Sequence, residues 1–291
     1  MKRRSHQARA VVTGAGSGIG QAFAVELAAR GGQVLCADID EAAAHRTRHV
    51  IEDQGGVADV STCDVSDLAQ VQRLAQDAQD WFGGPPTLVI NNAGVGAGGQ
   101  NIGRTPIEDW DWTLGINLWG PIYGCHVFTP LLRESNRGGI INVASAASFG
   151  AAPGMAAYNV SKAGVLSLSE TLAAELAGTK VAVTVVCPTF VKTNIVESGR
   201  ITSESMAAAR KLMQYTGMPP QRVARIALNA NDHGRLYALP QLDAKIGWQI
   251  KRAAPATYTK AVGAISRFGP LRDLDTASNP SVPESSSRKE A

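Results

Sequence analysis

Tyr158 and Lys162 stand four residues apart in Tyr158-Asn159-Val160-Ser161-Lys162, a spacing that puts both side chains on one face of a helix. A free phenol has a pKa of about 10, and a cation held beneath it favours the phenolate. The pair therefore suits a group that trades a proton with a bound ligand near neutral pH. Alone, the pattern is an ordinary helical pair, because both residue types are common in helices. Two other features change its meaning: Ser145 lies thirteen residues before Tyr158, and a glycine-rich turn, Thr13-Gly14-Ala15-Gly16-Ser17-Gly18-Ile19-Gly20, precedes both. Together they describe proton handling beside a bound nucleotide, the requirement of a nicotinamide-dependent oxidoreductase.

Such residues need a scaffold. Short apolar runs alternate with segments of helical periodicity from residue 8 to about 239, the pattern of βαβ units around a buried parallel sheet. Strands are predicted at Ala8–Thr13, Gln33–Ala37, Val57–Cys63, Thr87–Asn91, Gly139–Ala144, Val181–Cys187 and Arg235–Leu239, with helices near 19–30, 40–53, 67–82, 107–135, 156–177 and 219–231. Glycine and proline punctuation, as in Gly83-Gly84-Pro85-Pro86, marks the chain reversals. The fold class is α/β, a doubly wound seven-stranded parallel sheet with helices on both faces. Past Pro240 the pattern becomes two amphipathic helices, Gln241–Ala253 and Pro255–Arg267. The expected organisation is one domain over 8–239, a helical extension over 240–275, and a Ser/Pro/charge-rich tail over 276–291 that is expected to be disordered.

At 291 residues with 44% hydrophobic content, the chain can bury a large core. A net charge of +3 with scattered basic residues carries no nucleic-acid footprint. Cys36, Cys63, Cys125 and Cys187 are far apart in the sequence, without metal-ligand spacing, so buried reduced thiols and no metal are expected. The basic Met1–Arg9 arm runs into a strand rather than an apolar signal core, and no apolar run reaches 18 residues. A soluble cytoplasmic protein is expected.

The glycine turn sits between the first strand and the first helix, where backbone can approach a pyrophosphate and present it to a helix N-terminus. Its spacing is GxxxGxG rather than GxGxxG. Asp38 follows Gly20 by eighteen residues, at the end of the second strand. There a carboxylate accepts from the adenosine ribose hydroxyls and repels a 2′-phosphate, selecting NAD over NADP. Its alternative role, capping the next helix, could fall to Asp40 instead.

TGAGSGIG, Asp38, Cys63-Asp64-Val65, Asn91-Asn92-Ala93-Gly94, Asn117, Ser145 and YNVSK together resemble the short-chain dehydrogenase/reductase family over residues 8 to about 239. The resemblance implies a Rossmann-like sheet and a hydride exchanged with NAD. It implies cofactor contacts from Gly14, Ser17, Gly18, Ile19, Gly20 and Asp38, from Asp64 and Val65 at the adenine, and from Asn91, Ala93 and Gly94 beside the cofactor. Tyr158 would be the general acid or base and Ser145 would hold the substrate oxygen. Lys162 would grip the nicotinamide ribose, while Asn117 would hold a water linking Lys162 to solvent. Pro188, Val191 and Thr193 would line the nicotinamide end. Ala15, Gly16 and Ser17 are neutral where NADP-preferring members often carry a basic residue, which agrees with Asp38.

The sequence departs from the family in two places. Thr189 follows Pro188 where a glycine is usual, restricting that backbone, and about fifty residues extend past the seventh strand. Phe149 and Phe190, with Ser145 and Tyr158, would surround a substrate among mostly apolar neighbours, so a small hydrophobic secondary alcohol or ketone is expected. Arg200 and Arg210 are the candidate inward-pointing cations. Apolar positions Val165, Leu168, Leu172 and Leu176 on one helix suggest a homodimer or homotetramer. The competing readings are an NADP-dependent carbonyl reductase of the same fold and a non-catalytic nucleotide sensor. Intact Asn117, Ser145, Tyr158 and Lys162 argue against the sensor. A membrane-surface or partner-binding role for the appended helices, with Lys245, Trp248, Lys251 and Arg252, is less favoured, because such helices usually pack on their own protein.

Overall fold

A computed structural model describes residues 3–268 except Asn136 and Val196; the tail expected at 276–291 lies outside the described residues. Seven parallel strands form one sheet: β1 (Arg9–Thr13), β2 (Gln33–Asp38), β3 (Val57–Thr62), β4 (Leu88–Asn91), β6 (Gly138–Val143), β7 (Val181–Val186) and β9 (Tyr237–Ala238). Two-residue strands β5 (Ala97–Gly98) and β8 (Arg200–Ile201) pair separately. The order β3-β2-β1-β4-β6-β7-β9 reverses direction between β1 and β4. In an open parallel sheet a crevice opens at the carboxyl ends of the strands at such a switch point.

Each helix starts and stops for local reasons. The α2 helix (Glu41–Glu52) is capped by Asp40, which accepts from the Ala43 N–H at 3.0 Å. The α3 helix (Leu68–Phe82) is capped by Asp67 and ends at Gly83, whose φ of 64° is left-handed. On one sheet face, Phe23 and Leu27 of α1 (Gly18–Ala29) share a core with Val223 and Leu228 of α9 (Pro220–Asp232). The other face carries α3, α5 (Gly120–Glu134) and α7 (Ala156–Glu175), joined through Leu74, Phe128, Leu132 and Leu172. Val165, Leu172 and Leu176 are buried inside their own chain, so the apolar face of α7 does not itself argue for a partner subunit.

Two features differ from the sequence reading. The expected 107–135 helix is divided: α4 (Ile107–Leu114) runs through a π-helical turn, Gly115–Trp119, into α5. A helix, α8 (Ser203–Thr216), lies in a segment to which periodicity assigned nothing. Only Met213 of it is buried, so it carries no apolar stripe to read. The extension forms two helices, α10 (Leu242–Ala253) and α11 (Pro255–Phe268). Trp248 of α10 packs edge-on against Phe149 at 5.1 Å and against Tyr237 at 5.3 Å. The extension therefore sits chiefly on the short helix α6 (Ala147–Gly150), not along α8. No helix among the described residues is long and apolar enough to cross a membrane.

Candidate active site

The carboxyl ends of β1 and β4 are laced together at the switch point. Thr13 Oγ1 accepts from the N–H groups of Asn92 and Ala93 at 3.0 and 3.1 Å, and Asn92 Nδ2 donates to Thr13 O at 2.9 Å and Gly14 O at 3.2 Å. Asn92 was not among the expected site residues, although the NNAG segment contains it. Gly18 has a φ of 56°, and a Cβ there would come within 3.0 Å of Thr193 Cγ2, so the turn accepts only glycine where it faces the loop after β7. Ser17, the residue before α1, makes no side-chain capping bond, which leaves the first-turn N–H groups of α1 for an anion.

Asp38 stands at the rim of this turn. Its Oδ2 accepts from the Gly16 N–H at 2.8 Å and its Oδ1 from the Asp40 N–H at 3.0 Å. Because Asp40 caps α2, the Asp38 carboxylate is not needed there. These features fit a dinucleotide: a glycine cradle that a side chain would fill, an open helix N-terminus and a carboxylate ending the second strand.

Beyond the end of β6, Ser145 Oγ accepts from the Ala147 N–H at 3.1 Å, donates to Pro188 O at 3.4 Å and lies close enough to the Tyr158 phenol to favour its ionised form. Lys162 is 3% exposed, and its Nζ donates to Val143 O at 3.0 Å and sits 5.8 Å from the centre of the Tyr158 ring. Asn117, fully buried in the π turn, pairs with Val95 through both ends of its amide, at 2.8 and 2.9 Å. A Cβ on Gly94 would come within 3.0 Å of Asn117 Oδ1 and 3.3 Å of Lys162 Nζ, so these three meet at one point. Backbone near a π turn is commonly re-aimed at a functional site, and here the turn delivers Asn117 to the lysine.

The electrostatics correct one expectation. Charge proximity alone predicts a lowered phenol, but burial pushes Tyr158 up, with only the Ser145 hydrogen bond opposing it. Lys162 is buried too, and burial pulls its ammonium down to about 8. Its positive charge is directed at the Val143 carbonyl. Burial likewise pushes the neighbouring Cys187 thiol up to about 12. All four cysteines are free and buried.

Other expected residues fall in varied places. Asn91 turns inward, donating to Asn142 Oδ1 at 2.8 Å, so its side chain is in the core. Asp64 Oδ1 accepts from Ser66 N and Oγ, and Val65 is buried against Gly120. Ile19 is half-buried against the core, while Pro188 and Val191 are buried. Phe149 is taken up by Trp248, and Phe190 O accepts from Met218 N at 2.9 Å. Thr189 has an ordinary backbone, since Gln7 and Ala151 alone among the described non-glycine residues have a positive φ. Arg200 is paired with Asp109 at 2.7 Å and lies over Trp112, and Arg210 is paired with Glu197 at 2.6 Å. Both candidate cations are thus already neutralised. Gln241, which sequence reading missed, bonds the 189–190 backbone.

A parallel sheet with a glycine turn at its switch point, an acidic residue ending β2 and a serine, tyrosine and lysine gathered beyond β6 defines a nucleotide-binding oxidoreductase. The short chain dehydrogenase family model matches residues 8–204. The chain belongs to this family and takes a nicotinamide cofactor. It is 35% identical over 239 residues to 1-deoxy-11-beta-hydroxypentalenate dehydrogenase of Streptomyces exfoliatus, covering 81% of this chain and 84% of that one. It is 40% identical over 186 residues to the probable oxidoreductase EphD of Mycobacterium tuberculosis, covering 64% of this chain and 31% of that one. The chain thus spans about a third of the EphD proteins that it matches. Among solved structures it is similar to a short-chain dehydrogenase/reductase of Burkholderia phymatum in complex with NAD, with a TM-score of 0.80 and 32% identity over 98% of this chain and 100% of that one.

Proposed function

We propose that the protein interconverts a hydrophobic secondary alcohol and its ketone with NAD. The observation that carries this reading is the meeting of Ser145, Tyr158 and Lys162 beside a glycine turn whose rim holds Asp38. The bound nicotinamide would supply or accept the hydride. Ser145 Oγ would hold the substrate oxygen, and Tyr158 would remove its proton in oxidation or return one in reduction. Lys162 and Asn117 would hold the proton path and ribose side of the pocket. The turn residues Gly14, Ser17, Gly18, Ile19 and Gly20 would bind the pyrophosphate, and Asp64, Val65, Ala93 and Gly94 would flank the adenosine half.

One observation supports an apolar substrate: Arg200 and Arg210 are paired with carboxylates. Similarity to the 1-deoxy-11-beta-hydroxypentalenate dehydrogenase of Streptomyces exfoliatus supports the same reaction class. We also propose a homo-oligomer, because Trp119 next to Tyr123 on α5 and Val160 on α7 are each about half exposed (Trp119 and Val160 at 49%). The test is a panel of secondary alcohols with NAD and NADP, followed by the absorbance of the reduced cofactor. Oxidation with NAD and not NADP supports the reading. Equal use of both supports a dual or NADP enzyme, and binding without turnover supports a sensor.

A further inference from the structure

The segment Pro188–Thr193, which leaves β7, spans the interval between the proton-handling residues and the glycine turn. At one end Pro188 O accepts from Ala146 N at 2.8 Å and lies 3.4 Å from Ser145 Oγ. At the other end the Thr193 methyl abuts Gly18. In the cofactor reading proposed above, this is the stretch that faces the nicotinamide end.

The N-cap residue of α10 holds that stretch. Gln241 Oε1 accepts from the Thr189 N–H at 3.2 Å, and Gln241 Nε2 donates to Phe190 O at 3.0 Å. A single amide side chain thus pairs with the backbone as a neighbouring strand would. Gln241 stands at the N-cap position of α10, yet its side chain makes no capping bond there; its amide faces the loop. Thr189 Oγ1 adds a third tie, to Asp243 Oδ1 at 3.3 Å, which a glycine at 189 could not make. The unusual threonine and the unusual extension therefore meet each other.

We propose that Gln241 is a positioning residue for the nicotinamide half of the cofactor, acting through the 188–193 segment, with Thr189 and Asp243 as its supports. The proposal rests on the nicotinamide-enzyme reading. It differs from a merely structural role because, in that reading, the clamped residues 189 and 190 would face the nicotinamide end, whereas the segment reaches the glycine turn only at Thr193. An ADP-ribose fragment, which lacks nicotinamide, would meet the glycine turn and Asp38 but not residues 189 and 190.

The full chain, with Gln241→Ala, Gln241→Glu and Thr189→Val variants, would be titrated with NADH and with ADP-ribose by tryptophan fluorescence, and the thermal midpoint of each would be recorded. Gln241→Ala should weaken NADH binding about tenfold, the scale of two lost neutral hydrogen bonds, with ADP-ribose binding unchanged within twofold. Gln241→Glu keeps the acceptor for Thr189 N–H while losing the donor to Phe190 O, so a selective loss of NADH affinity is again expected. Thr189→Val removes only the Asp243 tie and should show a smaller selective loss. Unaltered NADH binding in both Gln241 variants overturns the proposal. A parallel loss of NADH and ADP-ribose binding also overturns it, since that is the mark of general loosening. If the unmodified protein binds neither NADH nor ADP-ribose, the cofactor reading falls, a failure separable from that of the clamp.

Discussion

The two halves of the sheet hold their ligand-facing residues by different means. From β1 to β4 most of the work is done by elements that follow one another closely, a glycine turn, a capped helix and an aspartate ending the next strand, with one long reach, the Asn92 side chain lacing strand ends across the switch point. From β6 onward, side chains from distant segments do it. Pro188 meets Ser145, Gln241 meets Thr189, and Trp248 of the extension rests on Phe149. A ligand part met by a local turn depends on backbone shape, whereas one met by side chains reaching across the fold can be adjusted one residue at a time.

That contrast can be broken by substitution, starting with the largest effect. Tyr158→Phe should lower kcat by more than about a hundredfold, the usual contribution of general acid–base catalysis, while NADH affinity stays within a few fold. Appreciable turnover in steady-state assays would remove Tyr158 from the proposed chemistry. Trp248→Ala should lower stability by about 2 kcal/mol, below the 3–5 typical of a fully buried aromatic because Trp248 is only half buried. Urea unfolding measures this, and ADP-ribose affinity should be unaffected; a loss of it would show that the two halves are not independent. Asp38→Ala should erase an NAD preference of at least about tenfold, or about 1.4 kcal/mol. Measuring kcat/KM with both cofactors checks it, and an unchanged ratio would take the carboxylate out of cofactor choice.

The gentlest test is pH. Burial holds the Tyr158 phenol above its ordinary value, so its ionised fraction is small at neutral pH and grows as pH rises. Oxidation should therefore climb through the alkaline range by no more than about tenfold per pH unit. Reduction, which needs the protonated phenol, should be insensitive near neutrality and decline at high pH. An oxidation rate that is flat with pH, with hydride transfer shown to be rate-limiting, would contradict proton removal by Tyr158.

The same contrast explains what the sequence discloses. Strands β1, β2, β4 and β7 are buried, and their uninterrupted apolar runs are legible for that reason. So are the glycine turn and Asp38, whose spacing is local. Gln241 was not legible because its partners are fifty residues earlier in the chain and its own neighbours look like an ordinary helix start. The direction of the Tyr158 shift was hidden for another reason: spacing shows that Lys162 is near, while burial of both groups appears only in three dimensions. The α8 helix was missed because a helix lying on the surface with one buried residue leaves no periodic mark.

The π turn at Gly115–Trp119 gives the helix pair α4–α5 a phase break. Each residue of an α-helix advances the helix by about 100°, and a π turn accommodates one residue more than regular winding does. The helical faces on either side of it therefore belong to two different angular frames, and the amphipathic stripe of α4 is not a continuation of that of α5. Asn117 is at the seam. A chain one residue shorter between Leu114 and Gly120 could wind without interruption and leave Trp112, which stacks under Arg200, in place relative to α5, but it would lack the bulge that carries Asn117. The length of this short segment therefore decides whether Asn117 is turned toward Val95 and Lys162.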